Sequence, residues 1–212
     1  MAEPERDSQV WEDPVRKLLA GAACLVASTS IVLDNARVRV FKASTALPLV
    51  DHPAAVVVVL QDGATRKAGD AYWSGDPAVT RNVGPGDVGS LIIVEPRESA
   101  PPHAPSPLSP AAVPRPGQSV FTGMSFTPLF DNERVTVIRG RMEVGAREGF
   151  HTHTSDIVVV HLSGGAIEDT ADGKTKVNHW KNGDVEFEAR GSSHSARNLG
   201  PAVDAVLVTL KP

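Results

Sequence analysis

The sequence predicts an all-β protein built from two tandem antiparallel barrels, and three observations lead to this class. The 212 residues include 18 Gly and 17 Pro. Short valine-rich segments alternate with clusters of Gly, Asn and Asp, and the two halves of the chain resemble each other. β-Branched residues favour strands, and turn-forming residues at short intervals are typical of antiparallel barrels and sandwiches. A hydrophobic fraction of 41% is sufficient for an ordinary globular core.

Residues 1–30 form an N-terminal extension in which we expect a short helix. Asp13 would cap this helix and Pro14 would be its first residue, an arrangement that suits the first turn, and the helix would end near Ala23. The acidic start is unlike a signal peptide and favours a cytoplasmic protein. If translation began near Val15, the apolar run that follows would instead be an export signal. No apolar run is long enough to span a bilayer, so no membrane association is expected.

The two halves carry the same segments in the same order. The matches are LDNARVRVF at 33–41 with FDNERVTVI at 130–138, HPAAVVVVLQDG at 52–63 with HTSDIVVVHLSGG (which pairs His52 with His153), AGD at 68–70 with NGD at 182–184, and RNVGP at 81–85 with RNLGP at 197–201. The displacement grows along the chain, which indicates a duplication followed by the loss of loops from the first copy. The first copy lacks most of the stretch matching 165–182, which contains a two-residue Asp-Gly hairpin signal.

The domain boundaries follow from this duplication and from a proline-rich break. Eight prolines and almost no large apolar side chain occur in 96–118. Such a segment cannot offset its ordering entropy by burial, so we expect an extended linker at 98–118. The first barrel would then occupy 31–97 and the second 119–212.

Composition excludes several classes of protein. The formal net charge is −4 and no basic face is evident, so nucleic acid is not an expected partner. The single cysteine, Cys24, rules out an intrachain disulfide framework. A small-molecule substrate or ligand is the expected partner.

Three histidines of the second unit are the candidate metal ligands. His151 and His153 are two residues apart, and side chains at this spacing on a strand point to the same side. His194 follows forty-one residues after His153, just beyond a turn. Three neutral imidazoles suit one divalent ion such as Fe, Mn, Ni, Cu or Zn. The alternative is a hydrogen-bonded polar patch in a barrel without metal.

The spacing around these histidines resembles the two cupin motifs. Gly145, five residues, His151-Thr-His153 and later Gly164 resemble the first motif. Gly183, five residues, Ala189 (where the family has proline), Gly191, His194 and Asn198 resemble the second motif. The resemblance covers most of 31–212 and implies a bicupin with jelly-roll barrels. It also implies that His151, His153 and His194 hold a metal in the mouth of the second barrel.

One position departs from the family pattern. Cupins have a glutamate ligand four residues after the second histidine, and here that position is Ile157. Asp156 is adjacent, but neighbouring residues on a strand face opposite ways, so it could substitute only if the chain turns there. A three-histidine site resembles that of some cupin oxygenases, including the thiol dioxygenases. It leaves open positions for water, dioxygen or a chelating substrate.

Six further residues are candidates for the substrate pocket. They are Ile157, His161, Phe187, Arg190, Arg197 and Asn198. From strand alternation we expect Val185 and Phe187 to line the barrel interior and Glu186 and Glu188 to face water.

The remaining polar candidates have more than one interpretation. Arg190 and Arg197 flank the third histidine and could fix a substrate carboxylate by paired hydrogen bonds. His161 is expected to be a core or pocket residue with a satisfied ring. His179 is expected on the surface.

The first unit is not expected to bind metal. It has Val50, His52 and Ala78 in place of the three histidines, and one histidine does not make a metal site. We expect this barrel to be structural, either covering the sheet of the second unit or forming the interface of a homodimer.

Two functions are compatible with these residues. The first is a metal-dependent enzyme of the oxygenase type that acts on a small organic acid, thiol or phenol, with isomerase or decarboxylase chemistry also available to the scaffold. The second is a non-catalytic cupin that binds or senses a small ligand.

Overall fold

The computed structural model describes residues 28–44, 52–77, 89–97 and 120–211, and its elements are thirteen β-strands. The first unit contributes β1 (Ser28–Asp34), β2 (Val38–Ser44), β3 (Val56–Val59), β4 (Ala71–Trp73) and β5 (Ser90–Pro96). The second contributes β6 (Phe121–Asp131), β7 (Val135–Thr152), β8 (Asp156–His161), β9 (Gly165–Ala171), β10 (Lys174–Trp180), β11 (Val185–Glu188), β12 (Ser193–Gly200) and β13 (Val203–Leu210). The all-β class is confirmed for these ranges, and they contain no helix able to cross a membrane. The predicted N-terminal helix and linker lie outside the described residues.

The strands form two antiparallel sheets with a shared order. The five-stranded sheet runs β1-β2-β5-β3-β4. The eight-stranded sheet runs β10-β9-β12-β7-β13-β8-β11, with β6 paired to β7. Its strands β6-β7-β13-β8-β11 therefore repeat the order of the first sheet. The hairpin β9–β10 has no counterpart among the five described strands, as the sequence predicted.

Strand register supports the same correspondence. Val38 on β2 pairs with Pro96 on β5. Val135 on β7, which is 97 residues after Val38, pairs with Leu210 on β13, which is 114 residues after Pro96. Two segments displaced by different amounts thus keep the same pairing, as expected when loops change in length but the ladder does not.

The register corrects one segment of the sequence alignment. Val56 pairs with Val94, whereas in the second unit the equivalent pair is Val158 and Val208. The displacement of β3 is therefore 102 residues, one more than the sequence match of His52 with His153 indicated. Because the valine run is apolar at every position, sequence similarity alone could not detect a slip of one residue.

The largest core lies between the two sheets. Its members come from equivalent strands of both units: Val38, Val40, Val56, Val58, Ile92 and Val94 from the first sheet, and Val135, Val137, Val158, Val160, Val206 and Val208 from the second. Each of the first six corresponds by register to one of the second six. The first unit thus covers one face of the second sheet and leaves the other face free to line a cavity.

This arrangement predicts unequal costs for neighbouring valines on β8. Val160 is fully buried in the core between the sheets, whereas Val159 lines the cavity of the second unit. Truncating Val160 to alanine should leave a void in a packed core and cost about 2 kcal/mol in the free energy of unfolding. Val159→Ala should cost about half as much, because the cavity beside it is already open. Urea denaturation of the two variants checks this, and equal midpoints would contradict the location of the core.

Candidate metal centre

The three predicted histidines meet at one point of the second unit. His151 lies near the end of β7, His153 follows that strand directly, and His194 on β12 is paired opposite His151. One ring nitrogen from each lies within 4.8 Å of those of the other two. This three-histidine group could hold a metal ion, and within the described ranges no other group of histidine, cysteine or acidic residues has such geometry.

Backbone and carboxylate acceptors fix the outer nitrogen of two of these rings. His151 Nδ1 lies 3.0 Å from the carbonyl oxygen of Gly149, which can only accept, so Nδ1 carries the proton. His194 Nδ1 lies 3.0 Å from Asp169 Oδ1 and donates to it. In the neutral form that a metal ligand needs, both rings therefore present an unprotonated Nε2. A carboxylate or carbonyl behind a histidine is the usual support of a metal ligand.

The third ring is fixed in the same way through a serine. Ser192 donates its hydroxyl to the carbonyl oxygen of Ala189 at 2.6 Å, so its oxygen accepts from His153 Nδ1 at 3.3 Å. The Nε2 atoms of His151 and His153 then lie 3.0 Å apart, and the buried Nε2 of His194 has no hydrogen-bond partner. Three lone pairs converging in a buried space repel each other unless a cation lies between them. The donor set fits a divalent metal.

Two carboxylates complete the surroundings of the three rings. Glu148 lies 3.4 Å from Nε2 of His151 and 3.9 Å from that of His194. Glu188 lies 3.6 Å from Nε2 of His153 and 3.9 Å from that of His194. Sequence reasoning missed both residues as members of the site.

Glu188 lies directly across from Ile157, the position at which the sequence departs from the motif it resembles. On β11 it is paired directly opposite Ile157 on β8, and both side chains line the cavity. Asp156 does not substitute, because it is 2% exposed, forms an ion pair with Arg37 of the first unit at 2.7 Å and accepts a hydrogen bond from the backbone N–H of Arg190. The carboxylate is thus on the neighbouring strand at the same level of the barrel.

The predicted orientation of β11 is wrong. Glu186 and Glu188 line the cavity, whereas Val185 and Phe187 pack against the core between the sheets. The alternation was correct but the faces were exchanged. The outer face of β11 is not open to water as a free surface would be, since Val185 and Phe187 are half-buried there against the core between the two sheets.

A β-bulge explains why the position of Glu148 beside the histidines could not be predicted from strand alternation. Between the pairs His194–His151 and Ala196–Glu148 the register shifts, so that three positions on β7 span two on β12. The extra residue brings Glu148 and His151 to the same face although their spacing is odd. Strict alternation would place them on opposite faces.

Burial and mutual charge shift the pKa values within this group. Burial raises the pKa of Glu188 to about 8. Burial, together with the two neighbouring histidines, lowers the pKa of His153 to about 4. Burial alone would lower the pKa of His194, but the carboxylates of Glu148 and Glu188 beside it raise the pKa overall. A metal ion would remove the main cost, since it neutralises buried carboxylates and takes the place of protons.

The three histidines lie in an open cavity of about 470 Å³ that is lined by residues from all eight strands of the second sheet. This volume is within the range of small-molecule sites. Of the six predicted pocket residues, Ile157 and His161 line the cavity.

The other four predicted pocket residues lie elsewhere. Phe187 packs against the core between the sheets. Arg197 is exposed, and Arg190 is not part of the cavity wall. Asn198 is 1% exposed and its amide donates to the carbonyl oxygens of Met142, Glu143 and Pro201, so it stabilises the turn before β13.

Two histidines outside the centre have the following positions. His179 is exposed, as predicted. In the first unit His52 forms an ion pair with Glu95 and contacts the ring of Phe41. Val50 and Ala78 lie outside the described residues.

The hydrogen bond behind His194 gives a test of the centre. Asp169→Asn would weaken the acceptor of Nδ1 and the basicity of the ring, so we expect metal affinity to fall about 10- to 100-fold. The matched control is Asp172→Asn at the exposed tip of the same hairpin, which should leave the affinity unchanged. Competition with a chromophoric chelator measures both, and equal affinities would show that Asp169 does not support a ligand.

Comparisons with known proteins find partial similarity to solved structures only. No family model and no curated protein sequence matches it. Among solved structures, a cupin domain from Bordetella pertussis Tohama I is 26% identical and aligns over 43% of this chain and 96% of its own, with a TM-score of 0.40. KdgF from Halomonas sp. is 18% identical over 42% of this chain and 81% of its own, with a TM-score of 0.36. The polyketide cyclase RemF from Streptomyces resistomycificus is 17% identical over 44% of this chain and 69% of its own, with a TM-score of 0.38.

Proposed function

We propose that this chain is a bicupin metalloprotein whose second barrel binds one divalent transition metal and acts on a small organic molecule by oxygenase-type chemistry. The observation that carries the proposal is the convergence of three Nε2 atoms from His151, His153 and His194, each with its Nδ1 proton held by an outer acceptor. Fe, Mn, Ni, Cu and Zn all accept such ligands. The shared strand order and register of the two sheets support the duplication.

Glu188 is proposed as the fourth ligand. Its oxygens lie within 4 Å of Nε2 of both His153 and His194, and it is paired opposite Ile157, the position at which the cupin motif has its glutamate. Three imidazoles and one carboxylate leave room for substrate around a six-coordinate ion.

The bound metal would polarise a chelated substrate oxygen or activate dioxygen. The residues of the chain would supply the rest of the chemistry. Apolar side chains from β7, β8 and β13 would exclude water from the cavity, and Ile157 lies at the level of the metal site, opposite Glu188. Glu148, close to His151 and His194, would take up a proton from a chelating hydroxyl on one of its carboxylate oxygens.

The test begins with elemental analysis of protein purified without a polyhistidine tag. We expect up to one transition metal per chain in the parent and its loss in His151→Ala, His153→Ala and His194→Ala. The exposed His179→Ala is the matched control and should keep its metal. Full metal content in the triple alanine variant of the three ligands would overturn the site.

The reaction is tested separately from the metal. Metal-loaded parent protein is screened in an oxygen electrode with small chelating acids, thiols and phenols. We expect oxygen uptake with at least one class and none with the His194→Ala protein. Metal binding with tight ligand binding but no turnover would contradict the enzyme and would identify a cupin that binds or senses its ligand.

A further inference from the structure

The cavity wall contains a buried histidine whose two ring nitrogens have no hydrogen-bond partner among the described residues. His161 ends β8, is 5% exposed and lines the cavity. Neither of its ring nitrogens has a hydrogen-bond partner in the part of the chain that the structure describes. The predicted satisfied ring is therefore wrong. The ring stacks on Trp180 at 4.2 Å between centroids and 11° between planes, so its position is fixed.

His161 lies well away from His151, His153 and His194, at the other end of β8. It is four residues beyond Ile157, on the same face of β8, which corresponds to about 13 Å. The wall between them is a row of apolar side chains from paired strands: Ile138, Leu207 and Val159. Ala205, directly opposite His161 on β13, is small and leaves space beside the ring. The cavity thus has two polar ends separated by an apolar body.

We propose that the natural ligand is an elongated, mainly apolar molecule that chelates the metal through oxygen atoms at one end and is held at the other end by a hydroxyl group that hydrogen-bonds to His161. The chelating end rests on the proposed function, whereas the far end rests on the unpartnered ring. Both ends are needed for the ligand to satisfy the polar groups that the cavity leaves open.

The chemistry of the far end selects a hydroxyl. A neutral imidazole offers one N–H donor and one acceptor lone pair, and a hydroxyl can serve either. The carboxylate of Glu186 lies 3.9 Å from His161 Nε2 and adds another acceptor. An anionic group at this end would meet that carboxylate and be repelled, since both charges would share a low-dielectric wall.

The experiment uses three rod-like probes with the same chelating end. They are 4-phenylcatechol, the analogue with a hydroxyl at the far para position of the second ring, and the analogue with a carboxylate there. Protein loaded with Zn²⁺ is used because zinc does not oxidise catechols. Metal content is first verified, and affinities are then measured by calorimetry. We expect the hydroxyl analogue to bind about tenfold more tightly than phenylcatechol, and the carboxylate analogue to bind more weakly than either.

His161→Phe separates recognition from packing. Phenylalanine keeps an aromatic ring against Trp180 but has no hydrogen-bonding atom. In this variant the preference for the hydroxyl should disappear, while the affinity for phenylcatechol itself should stay within about twofold of the parent. The matched control is His179→Phe on the outer surface of β10, which should keep the full preference.

The outcomes distinguish this inference from the proposed function. If the preference survives in His161→Phe, the ring is a wall residue satisfied by water and the inference is overturned. Tighter binding of the carboxylate analogue would also overturn it, since the far end would then select an anion. Protein that fails to hold Zn²⁺ contradicts the proposed function instead. Protein that holds Zn²⁺ but binds no probe overturns the ligand class alone.

Discussion

Removing the charge of Glu188 should stabilise the metal-free protein at pH 8 and weaken metal binding at the same pH. Burial raises the pKa of this carboxyl to about 8, from an ordinary value of 4.5. Below pH 4.5 it is protonated in both folded and unfolded chains, so it carries no penalty. As the pH rises toward 8 the unfolded chain releases the proton while the folded chain retains it, so the stability falls over this window.

The expected size follows from the same linkage. Each unit of pKa difference corresponds to about 1.4 kcal/mol, and partial access of water to the carboxylate reduces the total. We expect the free energy of unfolding of metal-free Glu188→Gln to exceed that of the parent by about 2–3 kcal/mol at pH 8. At pH 4.5 the two free energies should be almost equal. Subtracting one protein from the other at each pH cancels most of the contribution of the histidines, which titrate in both.

Urea denaturation in the presence of a chelator, from pH 4.5 to 8, measures this difference. The matched control is Glu186→Gln, two residues along β11 on the same wall but 32% exposed. It should show a much smaller change with pH. With Zn²⁺ added, the parent should become more stable than Glu188→Gln, because a ligand that binds the native state stabilises it more when it binds more tightly. A constant difference across the pH range would contradict the buried position of Glu188.

The all-β class and the meeting of the three histidines could be predicted because they depend on local patterns. Turn residues at short intervals mark the strands. His151 and His153 share a face whatever surrounds their strand, since the spacing of two fixes it. The three rings therefore meet as the sequence indicated.

The carboxylates could not be predicted because they depend on packing between units. Alternation along β11 alone assigns Glu188 to the water-facing side, and only the packing of Phe187 against the core between the sheets shows that Glu188 faces the cavity. Glu148 reaches the site through a bulge that leaves no signal in the alternation. The most useful sequence signal was negative: an apolar residue at 157 indicates that the carboxylate has to come from another strand.

Exchanging the residues at 157 and 188 should therefore preserve metal binding, although Glu188→Ile alone weakens it and Ile157→Glu alone destabilises the metal-free protein. The two positions are paired across β8 and β11, and both side chains line the same level of the cavity. Glu188→Ile removes the proposed fourth ligand, and we expect metal affinity to fall about 100-fold. Ile157→Glu puts a second buried carboxylate opposite the first, so the metal-free protein should be destabilised by about 2 kcal/mol.

The double variant, Ile157→Glu with Glu188→Ile, returns the carboxylate to the position that the cupin motif gives it. Its affinity for Zn²⁺ should recover to within about tenfold of the parent, since the number and type of ligands are the same and only the strand that supplies one of them has changed. The matched control exchanges the next pair along the strands, Val159→Glu with Glu186→Val, which moves a carboxylate that lies beside His161 and not beside His151, His153 or His194. That exchange should leave affinity unchanged. If the double variant binds Zn²⁺ no more tightly than Glu188→Ile alone, Glu188 contributes something other than a carboxylate ligand to the site.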